Sequence, residues 1–225
     1  MSICENILNI RQNIAGVNPS GAVLLVAATK MNDAAAVSEA IKAGIDACGE
    51  NKVQEFLEKN AQGAYTGAPV HFIGHLQKNK LNKIVGAVDL IQSVDSKALL
   101  ELIAKRAQIL GITQDVLIEI NIAAEDAKSG FSPGELSGVL DFAGVLSGIC
   151  VRGLMCVPPI VEDASENVPY FARMKQLFVD NSGKKYDNVH MDFLSMGMTG
   201  DYIEAVKAGA NMVRIGSAIF GARNY

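Results

Sequence analysis

The 225-residue chain contains no tryptophan, and only 6% of it is aromatic. Nothing in it resembles the stacked rings on which single-stranded nucleic acids lie. It also lacks a positive excess. Lysine and arginine number 20 against 24 acidic residues, a net charge of −4, the opposite of a nucleic-acid footprint. A long hydrophobic run is missing as well. The longest, Ala22 to Ala28, falls far short of the ~20 residues a membrane helix needs, and the start of the chain has no signal-peptide core. The four cysteines, Cys4, Cys48, Cys150 and Cys156, show no CxxC spacing, so reduced thiols in the cytoplasm are expected. Charged residues make up 20% and apolar ones 49%, enough to bury a sizeable core and to exclude wholesale disorder.

What is present is alternation. Apolar, β-branched runs occur at Ala22–Thr29, Ala47–Gly49, Val70–His75, Leu90–Val94, Val116–Ile122, Val151–Val157, Met191–Met196 and Met212–Gly216. Stretches of helical period lie between them, near 33–43, 51–60, 78–86, 96–110, 133–146, 164–181 and 200–208, with one more near 3–14. Short strands alternating with helices predict right-handed βαβ units and a parallel sheet. Eight such units predict a (β/α)8 TIM barrel with an extra N-terminal helix, as one domain over residues 1–225. An open doubly wound sheet is the competing fold. Lys42-Ala43-Gly44 and Lys207-Ala208-Gly209 each end a helix before a strand, where glycine suits a left-handed cap.

In a barrel the chemistry sits at the C-terminal strand ends. Lys30 ends the first run there, at the mouth of a strand expected to be covered on both faces. Burial lowers a lysine pKa, and a neutral amine attacks aldehydes; the plainer alternative is a lysine that snorkels to solvent. Ser195-Met196-Gly197 and Gly216-Ser217 follow the last two strands, the usual phosphate position of this fold, although each alone is an ordinary turn. Placed opposite Lys30, they gain weight as a cradle. Arg214 alternates onto the same strand face as Gly216. A lysine, a phosphate cradle and an inward arginine suit a phosphorylated aldehyde: pyridoxal phosphate (PLP), or a sugar phosphate held by a Schiff-base aldolase. His75 stands between a pocket wall and a satisfied core histidine. On a strand His71 and His75 would lie ~13 Å apart, too far to share a metal ion, and His190, at the opposite end, reads as structural. Met155, Met191, Met196 and Met198 read first as barrel filling, and the cysteines as small apolar groups.

Seven pieces in order then carry a likeness: Ala28-Thr29-Lys30, Gly49-Glu50-Asn51, Phe72 to Lys80, Lys128-Ser129-Gly130, Gly153-Leu154-Met155, Leu194 to Met198, and Val213 to Gly221. The chain resembles the PLP homeostasis proteins, stand-alone barrels similar to the N-terminal domain of alanine racemase. The resemblance implies PLP on Lys30 as an internal aldimine. It also implies phosphate contacts from Ser195, Gly216 and Ser217, with Arg214 near the pyridine nitrogen and Asn51, His75 and Met196 in the pocket. Relatives often carry a second lysine two places after the first; here that residue is Asn32. Thr199 stands where they usually have serine, and Ser217 where many have threonine. An arginine at the pyridine nitrogen weakens the ring as an electron sink, and racemases add a tyrosine from a second domain. The sequence ends at Tyr225, nine residues after Gly216. The expectation is a cytoplasmic, monomeric PLP carrier with little or no turnover. PLP-dependent apoenzymes are its possible recipients, and an amino-acid racemase is the enzymatic alternative.

Overall fold

The structure, a computed structural model, describes residues 2–18, 21–125, 127–183 and 186–221; Tyr225 lies outside them. Eight parallel strands close into a barrel in sequence order: β1 Leu24–Ala28, β2 Ala47–Glu50, β3 Val70–Phe72, β4 Leu90–Val94, β5 Gln114–Glu119, β6 Ile149–Met155, β7 Val189–Ser195 and β8 Met212–Ile215. Around them run α1 Ile3–Val17, α2 Ala34–Lys42, α3 Val53–Ala61, α4 Lys97–Leu110, α5 Leu136–Gly144, α6 Val168–Asn181, α7 Tyr202–Lys207 and the one-turn α8 Ser217–Phe220. This is the (β/α)8 barrel with its extra N-terminal helix.

Local chemistry sets the ends of these elements. Ser2 and Glu5 form a reciprocal capping box on α1, Asp33 accepts from the Ala36 N–H, and Ser96 accepts from the Leu99 N–H, each satisfying a donor the helix leaves unpaired. Gly44 and Gly209 adopt φ of +93° and +101°, the left-handed caps expected from their positions. The expected helix over 78–86 is instead a 3-10 segment, Lys78–Lys83. Leu81, Ile84 and Val85 are all buried, so the apolar positions pack although the backbone closes with i→i+3 bonds such as Ile84 N–H to the Leu81 carbonyl. The α8 turn was expected only as a turn.

Two apolar layers follow from strand alternation. The larger lies between sheet and helices; the smaller, Val26, Ala47, Leu90, Leu117, Met155 and Met212, fills the barrel. Val116, Leu117 and Ile118 are all fully buried, as a strand covered on both faces requires. Of the four methionines expected as filling, Met155 lies inside the barrel, whereas Met196 and Met191 pack on the helix side. Two residues on, Leu90, Leu117, Phe193 and Met212 are succeeded on the same strand face by Gln92, Glu119, Ser195 and Arg214. A polar layer therefore caps the apolar one toward the mouth.

Candidate functional site at the barrel mouth

Closing the barrel pairs β1 with β8, with Val26 beside Arg214 and Ala27 beside Ile215. A Cβ built on Gly216 would touch Ala28 at 3.5 Å. The Gly216–Ser217 turn thus lies next to the Lys30 turn, not opposite it. That expectation is corrected, because the first and last strands of a closed sheet are neighbours. Lys30 is half-buried just past β1, and its carbonyl accepts from Asn32 Nδ2 at 3.1 Å. Asn32 serves here as a turn ligand.

Arg214 is 4% exposed. It donates from Nη1 to Ser195 Oγ at 2.6 Å and from Nη2 to the Cys156 carbonyl at 2.8 Å. Burial lowers its pKa, against nearby Cys156, Glu119 and Asp201, yet guanidinium stays charged in proteins. Ser195 in turn donates to Gln92 Oε1 at 2.6 Å, and Gln92 Nε2 lies 2.9 Å from His71 Nδ1. Burial drives the His71 pKa down to about 4, so its ring is neutral and Nδ1 accepts from the amide. The relay has one direction, from Arg214 through Ser195 and Gln92 to His71. Ser195 is fully buried and spends its hydroxyl on this relay, holding Arg214 from below. Met196, the next residue, points to the outer core and is fully buried there. Its side chain does not reach the mouth, a correction that follows from strand alternation.

Thr199 Oγ1 faces the backbone N–H groups of Gly216 and Ala218 at 3.3 and 3.4 Å. Its hydroxyl joins the loops after β7 and β8 at the rim, with Ser217 exposed beside it. Across the mouth, a hollow of about 270 Å³ is lined by Ile73, His75, Ser93, Glu119, Asn121 and Lys128 among others. A second cleft of about 390 Å³ runs outward past Asn51, Leu57, His75, Lys80 and Lys83. His75 walls both. It is exposed and its Nδ1 lies 3.0 Å from Asp95 Oδ2, so it is a pocket wall and not a core histidine. Lys30 lines neither hollow. Asn51 Oδ1 is buried without a hydrogen-bond partner among the described residues, an acceptor left open at the mouth. Asn121 is used up in its own loop, bonded to Glu125 and Lys128.

Glu119 is a residue the sequence reasoning passed over. Burial pushes its pKa up to about 7, helped by the Asp95 charge and opposed by Arg214 and His75. A lone carboxylate in an apolar strand was the available signal. Thr199 was noted only as a departure from relatives, and Gln92 was hidden inside a strand.

Residues 2–224 match the alanine racemase N-terminal domain family. A pyridoxal phosphate homeostasis protein of Aquifex aeolicus is 38% identical over 231 residues, covering 100% of both chains. Two structures of PipY from Synechococcus elongatus PCC7942 superpose over 98% of this chain and 100% of theirs. The one without PLP gives a TM-score of 0.88 at 33% identity, and the one with PLP bound gives 0.85 at 32%. With its barrel and its mouth in place, the chain belongs to the alanine racemase N-terminal domain family, in the branch of the pyridoxal phosphate homeostasis proteins.

Proposed function

We propose that this protein binds pyridoxal 5'-phosphate and serves intracellular PLP homeostasis by buffering or delivering the cofactor, with an indirect effect on amino-acid and keto-acid pools. The observation that carries this is the adjacency of Lys30 to the Gly216–Ser217 turn on paired strands, above the buried Arg214. The residues present fit the group. Lys30 supplies the amine for a Schiff base, formed as Nζ bonds the aldehyde carbon and one water leaves. Ser217 and the Thr199 hydroxyl, which accepts from the Gly216 N–H and keeps its own proton to give, offer donors for the phosphate beside Gly216. The orphaned Asn51 Oδ1 offers an acceptor, and His75 a wall. When bound, PLP supplies an electron sink whose strength depends on the charge at its ring nitrogen. Arg214, permanently cationic and fixed by Ser195 and Cys156, would face that nitrogen as a donor and so disfavour its protonation. Ser195 acts by orienting Arg214. Such a site holds the cofactor and drives little turnover.

The carrier reading extends to a single barrel acting as a monomer in the cytoplasm and handing PLP to apoenzymes. In keeping with this, no helix of the described residues is long and apolar enough to cross a membrane.

The test is a visible spectrum of the purified protein with PLP. A yellow imine band is expected in the wild type and not in Lys30→Ala. An unchanged band in the variant overturns the assignment.

A further inference from the structure

Two charged side chains grip the backbone around Lys30, and neither has a part in the function proposed above. Lys59, on α3, is 6% exposed. Its Nζ donates to the Thr29 carbonyl and to Glu50 Oε1, both at 2.7 Å, and lies 3.8 Å from Glu55 Oε2. Glu50, at the end of β2, is fully buried. Its Oε1 also accepts from Thr29 Oγ1 at 2.5 Å and Tyr65 Oη at 3.0 Å. Its Oε2 is buried with no partner among the described residues. Glu55 Oε2 accepts from the Met31 N–H at 2.7 Å. Burial works to raise the Glu55 pKa, but the Met31 bond and the lysines 59 and 52 outweigh it, leaving the carboxylate charged.

The segment held this way is unusual. Met31, directly after Lys30, has φ +63°, a left-handed conformation that L residues other than glycine adopt reluctantly. Four main-chain groups around it are tied. The Thr29 carbonyl takes Lys59 and the Asn32 N–H, the Lys30 carbonyl takes Asn32 Nδ2, and the Met31 N–H takes Glu55. A strained turn persists only where its surroundings over-determine it. A buried ion pair is also an inefficient way to gain stability alone, since apolar residues of the same volume do as well or better.

Resting on the reading that Lys30 carries PLP, we propose that Lys59 and Glu55 are positioning residues: they hold the Thr29–Met31 turn in the one conformation that aims Lys30 Nζ at the aldehyde. They touch backbone, not cofactor, and act through Lys30.

The full-length chain provides the test, with Glu55→Ala, Glu55→Gln, Lys59→Met and Lys59→Arg. Glu55 lies near the surface of α3, so its variants keep the fold should Lys59→Met fail to. In Glu55→Ala the PLP concentration for half-saturation of the imine band rises about tenfold, and the pH midpoint of that band moves. The thermal midpoint of the PLP-free protein stays close to wild type. Glu55→Gln keeps an acceptor for the Met31 N–H and restores most of the affinity; Lys59→Arg does the same for Lys59→Met. A readout without PLP is reductive methylation with formaldehyde and borohydride, scored by peptide mass. Lys30 changes its rate relative to the other lysines in Glu55→Ala and not in Glu55→Gln. Wild-type affinity, band midpoint and Lys30 methylation rate in Glu55→Ala overturn the positioning role. A wild-type protein with no Lys30-dependent band overturns the PLP reading instead, while the methylation rates still decide whether Glu55 sets the turn.

Discussion

The most exacting prediction concerns Glu119. Its carboxyl titrates near 7 in the folded chain against an ordinary 4.5, with burial as the main cause and Asp95, Arg214 and His75 as the charges facing it. Between those values the folded state holds a proton that the unfolded state has released. Stability therefore falls as pH rises from about 4.5 to about 7, and the full cost persists above. At 1.36 kcal/mol per unit, the cost is about 3 kcal/mol. Glu119→Gln keeps the shape and never ionises, so it should be more stable than wild type at pH 8 by that amount, roughly 6 to 12 °C in thermal midpoint for a chain of this size. At pH 4.5 the two should nearly coincide. His71 titrates in the same window with the other sign. Burial lowers its pKa from 6.5 to about 4, so it removes stability as pH falls below about 6.5. It is present in both proteins and cancels in their difference. Calorimetry on PLP-free wild type and Glu119→Gln at pH 4.5, 6 and 8 is the assay. A difference that does not change with pH, or a variant less stable at pH 8, refutes the reasoning.

Two further outcomes follow from burial and backbone geometry. Gly153 has φ +139°, and a Cβ there would run into the Phe193 carbonyl on β7, so Gly153→Ala should cost more than about 3 kcal/mol, read as loss of the cooperative denaturation transition at 37 °C. Burial pushes the Cys48 and Cys156 thiols up to about 12, while Cys4 is exposed; a thiol reagent at pH 8 should label Cys4 promptly in the native protein and Cys48 and Cys156 only in denaturant, and prompt native labelling of either buried thiol would contradict the packing.

Much of the barrel was legible because each strand is a short β-branched run set off by glycine or polar residues. Leu90–Val94 agrees at both ends, and elsewhere the limits move by a few residues. Lys30 and Arg214 were legible for the same physical reason: a charge in an apolar run has few explanations. What hid were residues whose roles depend on a partner far away in sequence. Ser195 reads as a hydroxyl free for phosphate until Gln92 and Arg214, 103 and 19 residues away, are seen to occupy it. Lys59 follows Glu55 by four residues, the spacing of a solvated helix pair; only the packing of α3 beside β2, with Glu50 and Thr29 at its tip, buries it. The place of the Gly216–Ser217 turn was misjudged although an eight-stranded barrel in chain order already makes β1 and β8 neighbours.

The polar layer also bears on the proposal that this mouth holds the cofactor with little turnover. A catalytic electron sink needs a ring nitrogen that can carry a proton, and so an acidic partner whose charge can follow it. In the PLP site proposed above, that position falls to Arg214, a guanidinium held by Ser195 and the Cys156 carbonyl. Its support is one-directional, since His71 is neutral and accepts, Gln92 must present its oxygen to Ser195, and Ser195 must present its oxygen to Arg214. Reversing any link would leave two donors facing each other in a buried site, at about 1–3 kcal/mol for each unsatisfied group. The arginine is thereby locked as a donor, and of the two carboxylates that act on it, Glu119 and Asp201, Glu119 has its pKa raised by burial to about 7. On the proposed reading, the group nearest the ring nitrogen is thus a fixed cation, while Lys30 and the Gly216–Ser217 turn stand side by side on paired strands.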